Sequence, residues 1–376
     1  MGETPQLFSV LRGLWEFYEV QGELQTAREL GKQLLTLAQS LQDPALLLVA
    51  HDVLGDTLLW LGEFAPARSH SEQAIALYNP QQHRSLAFLY GGIDPGVACL
   101  CWVALTLWHL GYPGQALKRS HEALTLAEER SHPYSLAHAV GFTAMLHQFR
   151  WEGLAAQERA EAQIALSTDQ GFELYLAMGA ILRGCALTRQ GQIKEGMTQM
   201  RQGLAAWQTT GAELLRPYFL VLLAEAYGNA GQIEEGLSVL TEALAAAEKS
   251  EERWWEAELY RLKGELLLKD EATETQRHGD MKKERRGDAE TWGHRDEENI
   301  AASSPEACFH HALDIAHRQN AKSLELRAAM SLSRLWQRQA KKAEARQLLA
   351  EIYGWFTEGF DTVDLKEAKA LLETMS

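Results

Sequence analysis

Little in this sequence favours a sheet, a membrane span or a disulfide framework. Runs of alternating Val, Ile and Thr, the mark of a half-buried strand, are absent. Proline supplies nine of 376 residues, and long stretches have none, so helices can run without interruption. Apolar runs such as 45–50 and 218–224 fall far short of the roughly 20 residues that cross a bilayer. No N-terminal stretch has a signal-peptide pattern. The four cysteines, Cys99, Cys101, Cys185 and Cys308, form no CxxC pair and read as small apolar residues in a reducing compartment. Basic residues are in deficit, 36 Lys and Arg against 51 Asp and Glu, for a net charge of −15. Phosphate backbones need a basic face, so nucleic acid is an unlikely main partner. The acidic balance fits a soluble, cytoplasmic protein.

What the sequence does have is Leu, Ala, Glu and Gln, all good helix formers, and a repeat. Gly22-Glu-Leu-Gln-Thr-Ala27, Gly62-Glu-Phe-Ala-Pro-Ala67, Gly111-Tyr-Pro-Gly-Gln-Ala116, Gly191-Gln-Ile-Lys-Glu-Gly196 and Gly231-Gln-Ile-Glu-Glu-Gly236 share one frame. Residues 151–156 and 340–345 fit it without the glycine. The small anchors are Ala27, Ala67, Ala116, Ala156, Gly196, Gly236, Pro305 and Ala345, spaced 40, 49, 40, 40, 40, 69 and 40 residues apart. The two long spacings locate insertions of 9 and 29 residues. A second ladder of small residues, Gly55, Ala104, Ala144, Gly184, Ala224, Gly264 and Ser333, recurs in the next helix. Small residues at a fixed place let neighbouring helices approach closely. At Gly184 this predicts that Ala is near neutral and Leu destabilising, because helix propensity and packing oppose each other.

Each unit is therefore two helices joined by a tight turn, with glycine at a helix C-terminus and Asp43-Pro44, His132-Pro133 and Gly211 opening first helices. The expected pairs are 7–20/23–41, 44–60/64–78, 96–110/113–130, 133–149/153–169, 172–189/192–209, 213–229/232–249, 253–269/304–319 and 321–338/341–356, with a last helix at 363–374 capping the open end. The fold class is all-α: a single tetratricopeptide-like, right-handed superhelical solenoid over 1–376. Residues 79–96 read as an inserted loop, either a plain connector or a lid over the groove. Residues 270–304, with KKERR at 282–286 and few apolar side chains, read as a disordered insert within the seventh repeat.

Motifs that carry chemistry are absent. There is no GxxxxGK[ST] phosphate loop, HExxH, GxSxG or Cys/His set with zinc spacing. The adjacent His310 and His311 cannot converge on one metal from a helix. No catalytic, cofactor or metal site is assigned, and the chain reads as non-enzymatic. In such arrays the concave surface comes mainly from first helices. By frame it includes Asp52, Asp56, His138, Tyr218, Glu225, Glu258, Arg261, Glu265, Arg327 and Arg334, and Tyr90, Asp94 and Pro95 are candidate contacts from the loop. Trp60, Trp108, Trp254, Trp255 and Tyr260 read mainly as core. The ladder of Lys and Asn that clamps a peptide carboxylate is not present.

Three stretches go further: HRSLAFLYGGIDPGV at 83–97, RWWEAELYRLKGELLL at 253–268 and IYGWFTEGFD at 352–361. With them, nearly the whole chain resembles the C-terminal repeat region of bacterial signalling proteins that join a class III adenylate/guanylate cyclase domain to an AAA-type ATPase. It departs from that pattern at about 270–304. The resemblance implies a regulatory or sensor arm that binds a protein or peptide, with ATPase or cyclase modules as candidate partners, and implies no cyclase or ATPase activity here. A chain that opens almost directly in a repeat fits the detached tail of such a protein. The alternative is a small-molecule sensor similar to the repeat domain of the maltose-regulon activator.

Overall fold

A computed structural model describes residues 4–90, 92–284 and 304–375. Among the described residues there are eighteen helices and no strand. They pair in order: α1 (Thr4–Val20) with α2 (Leu24–Leu41), α3 (Pro44–Trp60) with α4 (Phe64–Leu77), α6 (Pro95–His109) with α7 (Pro113–Arg130), and α8 (Pro133–Phe149) with α9 (Gly153–Gln170). Then follow α10 (Glu173–Arg189) with α11 (Ile193–Thr209), α12 (Arg216–Asn229) with α13 (Ile233–Ser250), α14 (Glu256–Glu284) with α15 (Pro305–Arg318), and α16 (Lys322–Arg338) with α17 (Lys342–Tyr353). The single turn α5 (Leu86–Leu89) lies in the inserted loop, and α18 (Val363–Thr374) closes the last pair by placing Leu365 and Ala368 against Leu326, Met330 and Ile352.

Local chemistry sets the ends of these helices. Asp43, Asp94 and Ser304 each accept backbone N–H bonds at the first turn, and a proline follows each at a position that needs no donor. Between the two helices of every pair but α14 and α15, whose connection lies outside the described residues, the chain turns through a left-handed residue. The N–H one place later closes a six-residue bond, as from Glu63 to the Leu58 carbonyl and from Gln192 to that of Leu187. Glycine fills this place at Gly22, Gly62, Gly111, Gly191 and Gly231, whereas Trp151 and Ala340 adopt the same positive φ (61° and 63°) without it. First helices are apolar on nearly every side: in α6 all fifteen residues are buried. They form the inner layer. Second helices bury one stripe and turn charge outward.

The array winds onto itself. The peptide N–H groups of Glu213 and Leu214 donate to the carbonyl of Val20, at the end of α1, at 2.9 and 3.2 Å. One repeat further on, Arg253 and Trp254 donate to Trp60, at the end of α3, at 2.9 and 3.2 Å. Ser323 Oγ donates to Trp108 at 2.5 Å, and Arg327 donates to Phe149 at the end of α8. Helix C-termini carry unpaired carbonyls, and here the next turn of the superhelix satisfies them, five pairs on for the first three pairs. The channel inside is filled with rings. Trp60 and Trp254 stand 5.2 Å apart, Phe149 and Trp255 stack at 4.6 Å, and Trp108 and Trp255 at 5.8 Å.

Two expectations change. Helices α12 and α14 begin three residues later than their spacing predicts, because 213–215 and 253–255 are spent on the docking just described. Helix α14 also runs to Glu284, into the segment 270–304 read as a disordered insert. The rest of the insert, 285–303, lies outside the described residues.

Gly184 also behaves differently from its sequence reading. A Cβ there would sit 2.6 Å from the Gly196 carbonyl oxygen and 2.6 Å from Met200 Cγ, and a Cβ on Gly196 would meet the Gly184 carbonyl in turn. The two small-residue ladders are the two sides of one backbone crossing. Gly184→Ala is therefore expected to destabilise by about 1–3 kcal/mol instead of being neutral, and Gly184→Leu by more. Thermal melts check the order, and hydrogen exchange should rise first in residues 173–209.

Candidate functional site

The inner face divides into three zones. At its middle, Tyr218 is wholly buried among Phe149, Trp254 and Trp255 and donates to Gln148 Oε1 at 2.8 Å. It belongs to the core, which removes it from the groove surface expected of it. Trp60, Trp108, Trp254 and Trp255 are likewise buried, and Tyr260 packs its ring edge-on to His311 at 4.2 Å. Among the described residues these rings fill the inside of the superhelix, in place of an open concave groove.

Towards the C-terminal end, six of the expected residues meet in a charge network. Arg189, over the ring of Trp151 at 3.9 Å, holds Glu225 at 3.0 Å. Arg261 grips Glu258 through two bonds of 2.8 Å and reaches Glu265 at 3.5 Å, and Ser331 donates to Glu265 at 2.6 Å. Burial favours the protonated form of Glu258, but Arg261 overrides it and keeps the carboxyl below its ordinary range. Arg327 makes a bidentate pair with Asp364, from Nε to Oδ1 at 3.2 Å and from Nη2 to Oδ2 at 2.9 Å, and lies over Trp108 and Trp151. Arg334 pairs with Glu367 at 2.9 Å. Each of these arginines already has an acid, so the network ties α10, α12, α14, α16 and α18 together. Only a crevice of about 140 Å³ remains between Trp151, Arg261, Arg327 and Arg334.

Towards the N-terminal end lies a second pocket, also of about 140 Å³ and far less polar. Its walls include Trp15, Trp60, Trp102, Phe142, Tyr175 and Trp207, and its polar lining includes Arg12, Glu16, Glu19, Asp56 and His138. The rings are tightly set: Trp60 and Trp102 meet edge to face at 5.6 Å, and Trp102 and Phe142 at 4.9 Å. His138 bonds Tyr175 Oη through Nδ1 at 2.9 Å, and burial drives its imidazole down to about 3, so it stays neutral. Glu19 and Asp56 are both buried, and burial pushes both carboxyls well above their ordinary range, with Asp56 adding to the rise of Glu19 and Asp52 to that of Asp56. Asp52 sits beside them, accepts the Cys99 thiol at 3.2 Å, and is raised by burial to about 6.

The inserted loop edges this pocket. Ile93 lines it, and the Tyr90 ring packs on Phe8 at 5.7 Å while its carbonyl accepts from Arg12 at 3.4 Å. Asp94 caps α6 and accepts the Tyr78 hydroxyl at 2.8 Å, and Pro95 is buried in the first turn. These two residues anchor the loop. The residues that sequence reasoning missed are on α1. Arg12, Trp15 and Glu19, spaced three and four apart, put two charges on a buried face, and that pattern was readable.

No protein-family model matches the chain. An uncharacterised protein of Rhizobium meliloti (strain 1021) is 21% identical over 266 residues, 71% of this chain and 26% of that protein. The chain thus spans about a quarter of that relative's length. Among solved structures, a Rap protein complexed with Competence and Sporulation Factor matches with a TM-score of 0.53 at 11% identity, over 98% of both chains. The fold is a tetratricopeptide-like solenoid. A signal transduction ATPase with a tetratricopeptide repeat sensor from Pyrococcus horikoshii matches at 0.48 and 12% identity, over 100% of this chain and 50% of that one. Within the described residues of this solenoid, no three metal-ligating side chains gather, and no helix is long and apolar enough to cross a membrane.

Two substitutions test the electrostatics. Arg327→Met leaves Asp364 buried without its cation and is expected to cost about 3–5 kcal/mol in chemical denaturation, most of which Asp364→Leu restores in the double variant. Asp52 holds its proton to about pH 6 when folded and releases it near 3.8 when exposed. Its contribution to stability is thus full below about pH 4 and lost as the pH rises to about 6. Asp52→Asn should flatten that part of the stability–pH curve, read as the difference between the two proteins.

Proposed function

We propose that this chain is a non-catalytic, protein- or peptide-binding repeat scaffold, acting as the regulatory or sensor arm of a nucleotide-cyclase/ATPase signalling protein. The observation that carries the binding role is the N-terminal pocket. Aromatic rings surround buried polar atoms that the protein itself leaves unpaired, among them Glu19 Oε1, Asp56 Oδ1 and His138 Nε2, beside the N–H donors Arg12 Nε, Trp60 Nε1, Trp102 Nε1 and Trp207 Nε1. Buried polar groups are normally satisfied, so these atoms favour an incoming ligand. The fold supports the reading, since a Rap protein of like fold is known in complex with Competence and Sporulation Factor. The signalling role rests on the resemblance at 83–97, 253–268 and 352–361. In space, two of these stretches reach the junctions between superhelical turns, through Arg253 and through Trp355 and Glu358. ATPase or cyclase modules are the partners this reading names, in the cytoplasm.

A small-molecule sensor is the second reading, and the pocket's size favours it. About 140 Å³ accommodates one small group, comparable to a cavity that takes a benzene molecule. The readings separate in one experiment. A peptide library and a metabolite library are screened by thermal shift against the parent and Leu174→Trp, which narrows the half-buried rim. A true ligand at saturating concentration should raise the melting temperature of the parent by a few degrees, and the variant should lose that rise. Ligands that stabilise both proteins equally would place binding elsewhere and overturn the pocket's role. Turnover of ATP or GTP above a heat-inactivated control, lost on changing one acidic residue, would overturn the non-catalytic reading.

A further inference from the structure

Resting on the binding role just proposed, we infer that the N-terminal pocket recognises an organic cation: an ammonium group on a short apolar stem, inserted between the tryptophans onto the Glu19–Asp56 carboxyl pair. The stem belongs either to a lysine side chain of a peptide or to a free small amine.

Three observations converge on this chemistry. The first is the charge left over. Arg12 is committed to Glu16 at 3.3 Å, to the Tyr90 carbonyl at 3.4 Å and to the face of Trp15 at 4.2 Å. Glu19 and Asp56, from α1 and α3, are then two carboxyls with no ion pair of their own and only the shared field of Arg12; they are 6% and 7% exposed, each with one oxygen unpaired and both on the pocket wall. The second is the wall itself. Trp15, Trp60, Trp102, Phe142 and Trp207 present ring surfaces to the space beside the carboxyls, and desolvated cations are held on such faces. The third is fit. The volume takes an ammonium with about four carbons and excludes a folded chain, while half-buried Glu16, Tyr134 and Leu174 leave the rim open.

An arriving cation also explains how two adjacent carboxyls are tolerated. Empty, both are pushed toward the protonated form chiefly by burial, with Asp56 adding to the rise of Glu19, against a smaller opposing pull from Arg12. The charged or titratable groups around them are Arg12 and Glu16 on α1, Asp52 on α3 and His138 on α8. Of these His138 is neutral, and Asp52 adds to the push on Asp56. A bound ammonium replaces the shared proton, so binding is accompanied by proton release and tightens as the pH rises.

The test uses the full chain and n-butylammonium, with n-butanol as neutral isostere and butyrate as anion, measured by calorimetry at several pH values. The peptide arm uses an acetylated, amidated pentapeptide with central lysine, against its norleucine analogue. The cation should bind at least tenfold more tightly than the alcohol. The margin should widen with pH and vanish in Glu19→Gln/Asp56→Asn, a pair of near-isosteric changes; unchanged helicity and an equal or higher melting temperature would show that this variant is folded. Equal affinity for butanol, tighter binding of butyrate through Arg12, or no binding of any probe to folded parent would overturn the inference. Preference for the lysine peptide over butylammonium identifies a peptide source, and the reverse a free amine. The two proposals fail separately. A library ligand lost in Leu174→Trp but not displaced by butylammonium leaves the binding role standing and removes the cation. Butylammonium binding with no partner found leaves the cation and removes the scaffold.

Discussion

The structure depends on four carbonyl groups. Val20, Trp60, Trp108 and Phe149 lie at or near the ends of inner helices, where an α-helix leaves its acceptors unpaired. Donors from the following turn of the superhelix reach each of them. Backbone groups make most of these bonds, and they lock in the pitch that side-chain packing between successive pairs sets. The pitch then decides the rest. It brings the aromatic residues of α3, α6, α8 and α12 against Trp254 and Trp255 and turns what would be a channel into a core.

That closure sorts the polar residues of the inner face. Where two turns overlap, charges must be neutralised within the protein, and the arginines of α10, α14 and α16 each find a carboxylate. Where the first turn begins, the ring packing is incomplete, and Arg12, the Glu19–Asp56 pair and His138 border an open space. The same kind of side chain is thus structural at one end and available at the other. The difference comes from what is stacked above it.

Much of the fold was legible in the sequence because a repeat repeats its physics. The period of 40, the glycine turns and the small-residue ladders each state a local rule, and the helices follow within a few residues. What a local frame does not contain is the rotation between successive pairs, a small angle set by side-chain packing and summed over five units. Without it, Tyr218 and Arg327 look like groove residues when they are core and clasp. Gly184 was misjudged for a related reason: its cost was weighed along its own helix, whereas its partner, Gly196, stands across the crossing. Arg12 and Glu19 were within reach, since charges three and four residues from a tryptophan on an otherwise apolar face announce a buried polar cluster.

Stacked turns also alter how this chain bears load. An open solenoid stretches like a spring, each unit yielding a little and recovering. Here, drawing the ends apart shears the bonds from Glu213 to Val20 and from Arg253 to Trp60 side by side, so they carry tension together. The coil is mechanically latched: stiff while the stacking holds, then extensible at once when it slips. A solenoid latched this way resists displacement of one end against the other until the bonds between its turns give.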